Sequence, residues 1–193
     1  MHDASPDVAK VHGALRDLVH VFEGLAVGEP IHLSLRRLLR SPPAWHVAYR
    51  EVFVCENPNI VAIAADRLGH ACAPLVCTDG MPSAAQQTLL AQLANAGARL
   101  RCHGDFDWPG LVIGNFVMRE FRAEPWRFGT ADYLLATAEH AIALRGDKSV
   151  VARWDDQLAG AMAARGVAVH EEGVAESLMN DLAASANLDR APE

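Results

Sequence analysis

Three acidic side chains in this sequence stand where carboxylates can gather around a metal ion. Glu56 directly follows the apolar run Val52-Phe53-Val54-Cys55, and Asp105 and Asp107 follow Arg99-Leu100-Arg101-Cys102 across a short His103-Gly104 link. Residues two apart in an extended or turning backbone point to the same side, so both aspartates can face one ion. Three converging carboxylates form a hard oxygen site suited to Mg²⁺ or Mn²⁺, which keeps several waters and draws further ligands from substrate phosphate. The same aspartates also suit the start of a helix near Leu111, where Asp is a favoured cap. Both readings stay open on residue type alone, because a lone Asp-x-Asp is shared by phosphatases, glycosyltransferases and nucleases.

Other residues are candidates for supporting roles, each with a plainer alternative. Thr78 and Asp79 follow the apolar run Pro74-Leu75-Val76-Cys77 and can assist the same site, or serve a turn that simply needs Asp-Gly. His103 adjoins the acidic loop and can touch phosphate, or fill a structural place at a strand end. Glu171 and Glu172 can support a metal, or sit at a helix N-terminus where acids favour the dipole. Arg36, Arg37, Arg40, Arg119 and Arg122 are candidate contacts to a nucleic-acid backbone, and solvated helix faces explain them equally well.

The elements that must position these groups read as an α/β chain. Val52–Cys55, Pro74–Cys77 and Arg99–Cys102 are short strand-like runs, the first two apolar throughout, each followed by a helical segment: Asn59 to Leu68, Ser83 to Ala96 and Leu111 to Phe121. Strands of this kind separated by helices make a parallel sheet of about four strands with helices on both faces. Right-handed crossovers then bring the strand C-termini to one edge, where ligands bind. Trp126-Arg127-Phe128 supplies the fourth strand, and Ala131 to Leu144, Val151 to Arg165 and Glu171 to Ala184 read as helices. Helical spacing at Val11 to Ala26 and around Leu33 to Arg40 makes residues 1–48 an N-terminal helical segment, ahead of a catalytic domain at 49–185 and a disordered tail at 186–193.

Composition bounds the function. The 193 residues are 51% hydrophobic and 21% charged, enough for one well-formed core without disulfide or zinc staples. Cys55, Cys72, Cys77 and Cys102 form no Cys-x-x-Cys pair, and charges interrupt the first thirty residues, so the expected compartment is the cytoplasm, with no membrane span. Net charge is −7 but uneven: −3 over residues 1–35, +2 over 36–127 and −6 over 128–193. The stretch that holds the acidic candidates is therefore also the most basic, which suits a phosphate-bearing substrate. The fingerprints GxxxxGK[ST] and GxGxxG are both absent.

The wording of three blocks goes further. Val52-Phe53-Val54-Cys55-Glu56-Asn57-Pro58, Pro74-Leu75-Val76-Cys77-Thr78-Asp79-Gly80-Met81-Pro82-Ser83 and His103-Gly104-Asp105-Phe106-Asp107-Trp108-Pro109-Gly110 resemble the Toprim (topoisomerase-primase) superfamily. With Glu124-Pro125-Trp126-Arg127 they look like the C-terminal Toprim domain of the nuclease subunit of Wadjet anti-plasmid defence systems. The resemblance covers roughly Leu33 to Leu182. It implies a Toprim-like sheet and a metal-dependent DNA endonuclease in which Asp105 and Asp107 hold Mg²⁺ or Mn²⁺, while Glu56 acts as general acid or base or binds a second ion. It also implies plasmid DNA and the subunits of an SMC-like ATPase complex as partners, with a homodimer as a further assembly. Such relatives carry a long N-terminal half that binds DNA, whereas this sequence starts close to the Toprim blocks, so poor cleavage by the isolated chain is expected. Of the two tyrosines, Tyr49 and Tyr133, neither lies in a nucleophile segment, which leaves water as the expected nucleophile. The alternative is a Toprim-fold DNA-binding or docking subunit with little catalysis of its own.

Overall fold

The computed structural model describes residues 8–12, 30–136, 142–146 and 148–188. In chain order its first elements are β1 (Val8–His12), β2 (Ile31–Ser34), α1 (Leu35–Arg40), β3 (Glu51–Cys55), α2 (Pro58–Leu68), β4 (Leu75–Cys77) and α3 (Ala84–Asn95). They are followed by β5 (Arg99–Cys102), α4 (Trp108–Phe121), β6 (Glu124–Pro125), α5 (Thr130–Ala136), β7 (Ile142–Ala143), α6 (Leu158–Arg165), β8 (Val167–Ala168) and α7 (Ala175–Leu188). The result is the α/β arrangement, Toprim-like in kind, that the sequence implies.

The main sheet runs β2-β1-β4-β3-β5-β6. β4, β3, β5 and β6 are mutually parallel, with Phe53 opposite Leu75, Val54 opposite Cys102 and Cys102 opposite Pro125. Alternation along the strands divides the core between two faces. Val52, Val54, Val76, Leu100 and Cys102 pack with Leu38, Leu89, Leu93 and Val117 from α1, α3 and α4. Phe53, Cys55, Leu75 and Cys77 pack on the other face with Ile60, Val61, Leu178 and Leu182 from α2 and α7. Right-handed crossovers dictate this division. The chain steps from β3 to β4 in one direction, then from β4 past β3 to β5 in the other, so α2 and α3 must lie on opposite faces. The loops after β3 and β5, neighbours in the sheet, therefore depart to opposite sides and open a crevice between the two strand ends.

Several expected boundaries move, for physical reasons. Residues 1–48 are not a helical segment throughout. Val8–His12, which takes in Val11 and His12 of the expected first helix, is a strand between β2 and β4, antiparallel to both; residues 13–26 of that helix lie outside the described residues. Ile31 and Leu33 alternate inward, so the second expected helix begins only at Leu35, capped by the Ser34 hydroxyl. The fourth parallel strand is Glu124–Pro125 rather than Trp126–Phe128, because Arg127 turns left-handed at φ 47° and the Trp126 and Phe128 rings bury on different sides. The expected helix 131–144 holds as far as Ala136, while Ile142–Ala143 pairs instead with Val167–Ala168. Its residues 137–141 lie outside the described residues. The helix expected from Val151 starts at Leu158, since Trp154 stacks on Phe128 and the Asp155 carboxylate accepts the Thr130 and Gln157 amides. Glu171–Val174 is a 3-10 turn that leads into α7, and α7 continues to Leu188, past the expected start of a disordered tail; residues 189–193 lie outside the described residues.

Candidate active site

The crevice between β3 and β5 receives Glu56 from one side and the Asp105–Asp107 loop from the other. Local sequence explains the loop residue by residue. A Cβ at position 104 would come within 3.1 Å of Glu56 Oε2, so Gly104 leaves room for that carboxylate. Phe106 is buried and forms a β-bridge with Val169, its N–H donating to the Val169 carbonyl at 2.9 Å. Asp107 caps α4, its Oδ1 accepting the Gly110 amide at 2.7 Å, and Pro109 lies in the first turn, where its missing N–H costs nothing. Gly110 is required by close approach: a Cβ there would lie 2.1 Å from the Asp105 carbonyl oxygen. The capping role foreseen for Asp107 is thus realised. It occupies Oδ1, and a carboxylate has a second oxygen.

The Phe106–Val169 bridge delivers the following residues to the site. Glu171 is completely buried, and its carboxylate accepts the Glu56 amide at 3.1 Å on each oxygen and the Asn57 amide at 2.5 Å. The Glu56 carboxylate in turn accepts the Asp105 amide at 3.4 Å, and the Asp105 carboxylate accepts the Glu171 amide at 2.8 Å. Three carboxylates thus form a closed ring in which each holds the backbone N–H of the next. Glu172 reaches outward and accepts the side-chain amides of Asn57 and Asn59 at 2.7 and 2.8 Å.

Burial and crowding perturb the acids. Glu56 is pushed up to about 7, first by burial and then by the Asp105 and Asp107 charges. Asp105 is also raised, mainly by burial, with the Glu171 amide and His170 opposing the shift. Burial raises Glu171 well above the carboxylate range, against the amides of Glu56 and Asn57. Acids held this way favour either a proton or a cation among them.

A histidine joins them that the sequence did not single out. Asp105, Asp107 and His170 each offer a donor atom, and these atoms lie within 4.8 Å of one another. Glu56 stands beside this trio, bonded to the Asp105 backbone. A histidine directly before two glutamates was the only local signal for His170, and it meant nothing without the bridge that folds residue 169 against residue 106.

The remaining candidates separate. Thr78 is buried, its hydroxyl donating to the Cys55 carbonyl at 3.3 Å, and the Gly80 amide donates to the Glu56 carbonyl at 3.4 Å; this turn braces the end of β3. Asp79 stands exposed in the same turn at φ 53°. His103 does not face the crevice. It is buried against Phe106, Trp126 and Phe128, with Nδ1 2.9 Å from the Trp126 carbonyl oxygen, and burial lowers it to about 4, so it is neutral at physiological pH. Arg119 and Arg122 lie at the far end of α4, roughly 20 Å from the Asp107 cap at 1.5 Å per residue. Arg36 and Arg37, with Arg40, are exposed on α1, which starts at the same sheet edge as the acids because β2 runs in the direction of β4. Tyr133 is buried, its hydroxyl donating to the Val167 carbonyl, and Tyr49 precedes β3 at the opposite end of the sheet from Glu56. Neither tyrosine reaches the crevice.

The model of the family described as "Protein of unknown function C-terminus (DUF2399)" matches residues 31–182. The chain belongs to that family. The DUF2399 match runs from β2 into α7 and takes in Glu56, the Asp105–Asp107 loop and the His170-Glu171-Glu172 segment. Among curated proteins no relative matches the chain. Among the described residues no helix is long and apolar enough to cross a membrane, and the four cysteines are buried free thiols.

Proposed function

We propose that this DUF2399 chain is a Toprim-type, divalent-metal-dependent DNA endonuclease that hydrolyses phosphodiester bonds, and that it acts in the cytoplasm as part of a Wadjet-type anti-plasmid system, on plasmid DNA presented by an SMC-like ATPase complex. The observation that carries the reading is the convergence of Glu56, Asp105 and Asp107 on the crevice between β3 and β5. The system and its partners come from the resemblance of the sequence blocks alone.

The donor set fits a small divalent ion: carboxylate oxygens from Asp105 and Asp107 and an imidazole nitrogen, close enough together to share one centre. When bound, such an ion would polarise a phosphate oxygen and lower the cost of deprotonating water. The chain's own residues supply the rest. Asp105 and Asp107 would hold the ion, with the Glu171 amide fixing Asp105 and the Asp107–Gly110 cap fixing the other aspartate. Glu56, raised to about 7, is matched to accept a proton from water at neutral pH and to return it to a leaving oxygen. Water is the nucleophile in this scheme, since Tyr49 lies at the other end of the sheet and the Tyr133 hydroxyl is committed to the Val167 carbonyl. The exposed arginines of α1 lie on the same edge, where they can hold the DNA backbone.

Plasmid nicking and linearisation with Mn²⁺ tests the proposal, with and without partner subunits. Glu56→Gln and Asp107→Asn are expected to abolish cleavage while leaving DNA affinity equal or slightly higher, because non-specific affinity comes from basic groups. Cleavage that survives in both variants removes the mechanism, and a native chain inert with every partner present favours a docking subunit.

A further inference from the structure

His170 lies between two fixed neighbours. Val169 is locked by its bridge to Phe106, and Glu171 is buried beneath the Glu56 amide. His170 itself is extended, at φ −80° and ψ 157°. Side chains alternate along extended backbone, so two completely buried neighbours direct the intervening side chain outward, and it is exposed. Outward at this point is the crevice where Asp105 and Asp107 stand, and the three donor atoms fall within 4.8 Å of one another. Three atoms at that limit lie about 2.8 Å from a common centre, against bonds of roughly 2.0–2.2 Å to small divalent ions. Shifts of less than about 1 Å per side chain close the gap, well within rotamer adjustment for half-exposed groups.

A nitrogen donor changes which ion such a site prefers. Mg²⁺ is a hard ion that takes oxygen ligands and dehydrates reluctantly, so an imidazole adds little to its binding. First-row transition ions bind more strongly along their series and accept imidazole readily. We propose that His170 is a third protein ligand of the ion held by Asp105 and Asp107, and that it makes the site select Mn²⁺ or a similar first-row ion over Mg²⁺. The inference rests on the metal-site reading above and adds the ligand that sets its selectivity. Nothing in the strand and helix pattern assigns this residue; its position follows from the Phe106–Val169 bridge and the burial of Glu171.

The experiment uses the untagged full chain with Mn²⁺ alone, counting free ion by electron paramagnetic resonance and recording pulsed spectra of the bound ion, with Mg²⁺ as competitor. Nitrogen modulation from an imidazole is expected in the native chain and absent in His170→Ala and His170→Asp. His170→Ala is expected to weaken Mn²⁺ binding about tenfold or more while changing Mg²⁺ binding little, and His170→Asp, which supplies an oxygen instead, should move the preference toward Mg²⁺. Melting curves without metal check that each variant folds. Bound Mn²⁺ without nitrogen modulation, or equal weakening of both ions in His170→Ala, overturns the role of His170 while the aspartates keep theirs. Binding that survives in an Asp105→Asn, Asp107→Asn double variant overturns the metal site itself, and this inference with it.

Discussion

Removing the Glu171 carboxylate tests whether the ring of acids is what holds the crevice together. Glu171 is completely buried and is the acceptor for the Glu56 and Asn57 amides, so Glu171→Ala leaves two amides without their partner. An unsatisfied buried N–H costs about 1–3 kcal/mol, and water entering a half-exposed loop recovers part of that, so the expected loss is about 2–4 kcal/mol at pH 4, where no ionisation penalty at Glu171 offsets it. For a chain of this size that corresponds to a fall in melting temperature of about 5–15 °C. Glu171→Gln keeps one acceptor oxygen and should lose only about 1 kcal/mol. The discriminating readout is local. Hydrogen exchange at the Glu56 and Asn57 amides should accelerate about tenfold for each 1.4 kcal/mol lost, ahead of amides in the middle of β3. A Glu171→Ala chain that melts with the native protein and protects those two amides equally would refute the argument.

Two further expectations are simpler. Gly110→Ala drives a Cβ to 2.1 Å from a backbone oxygen that cannot move alone, so it should destabilise by about 3 kcal/mol or more, read from urea unfolding, and should disorder the Asp105–Asp107 loop. Arg36→Ala with Arg37→Ala should weaken DNA binding and lower its salt dependence by about two counterions, whereas Arg119→Ala with Arg122→Ala, at the far end of α4, should change neither.

The parallel strands were legible because β4 and all of β3 beyond Glu51 are apolar, as strands covered on both faces must be, and because the helices between them have room for a crossover. Glu56 and the two aspartates were legible for the same reason, since strand ends locate the crevice. Val8–His12 was not legible. It is short, contains Lys10, and becomes a strand only because β2 and β4 offer it backbone partners on both sides. His103 looked available from its place beside the acids, but the aromatic cage that buries it is assembled from Phe106, Trp126 and Phe128, which no local pattern brings together. His170 was hidden by distance along the chain: its position depends on one bridge between residues 106 and 169, and bridges of two residues leave no periodicity to read.

The ring of carboxylates also carries an electrostatic cost. Each acid accepts a backbone N–H of the next, which eases repulsion without cancelling it, and Glu56 still rises to about 7. A carboxyl raised on folding destabilises the native state once it is ionised. The penalty is absent below the unfolded value near 4.3, grows as pH rises, and is complete above about 7. In metal-free protein Glu56→Gln should therefore be more stable than the native chain at pH 8, by on the order of 2 kcal/mol after allowance for solvent screening, and the advantage should vanish by pH 4. Saturating Mn²⁺ should narrow or reverse the order at pH 8, since a bound ion offsets the charge that strains Glu56 in the native chain, a gain that the variant, with Asp105 and Asp107 still in place, does not share. Denaturant unfolding at pH 4, 6 and 8, with chelator and with Mn²⁺, measures both effects. A Glu56→Gln chain that is no more stable than native in chelator at pH 8 would mean that the acids are not strained, and a site without that strain has no need of a cation to complete it.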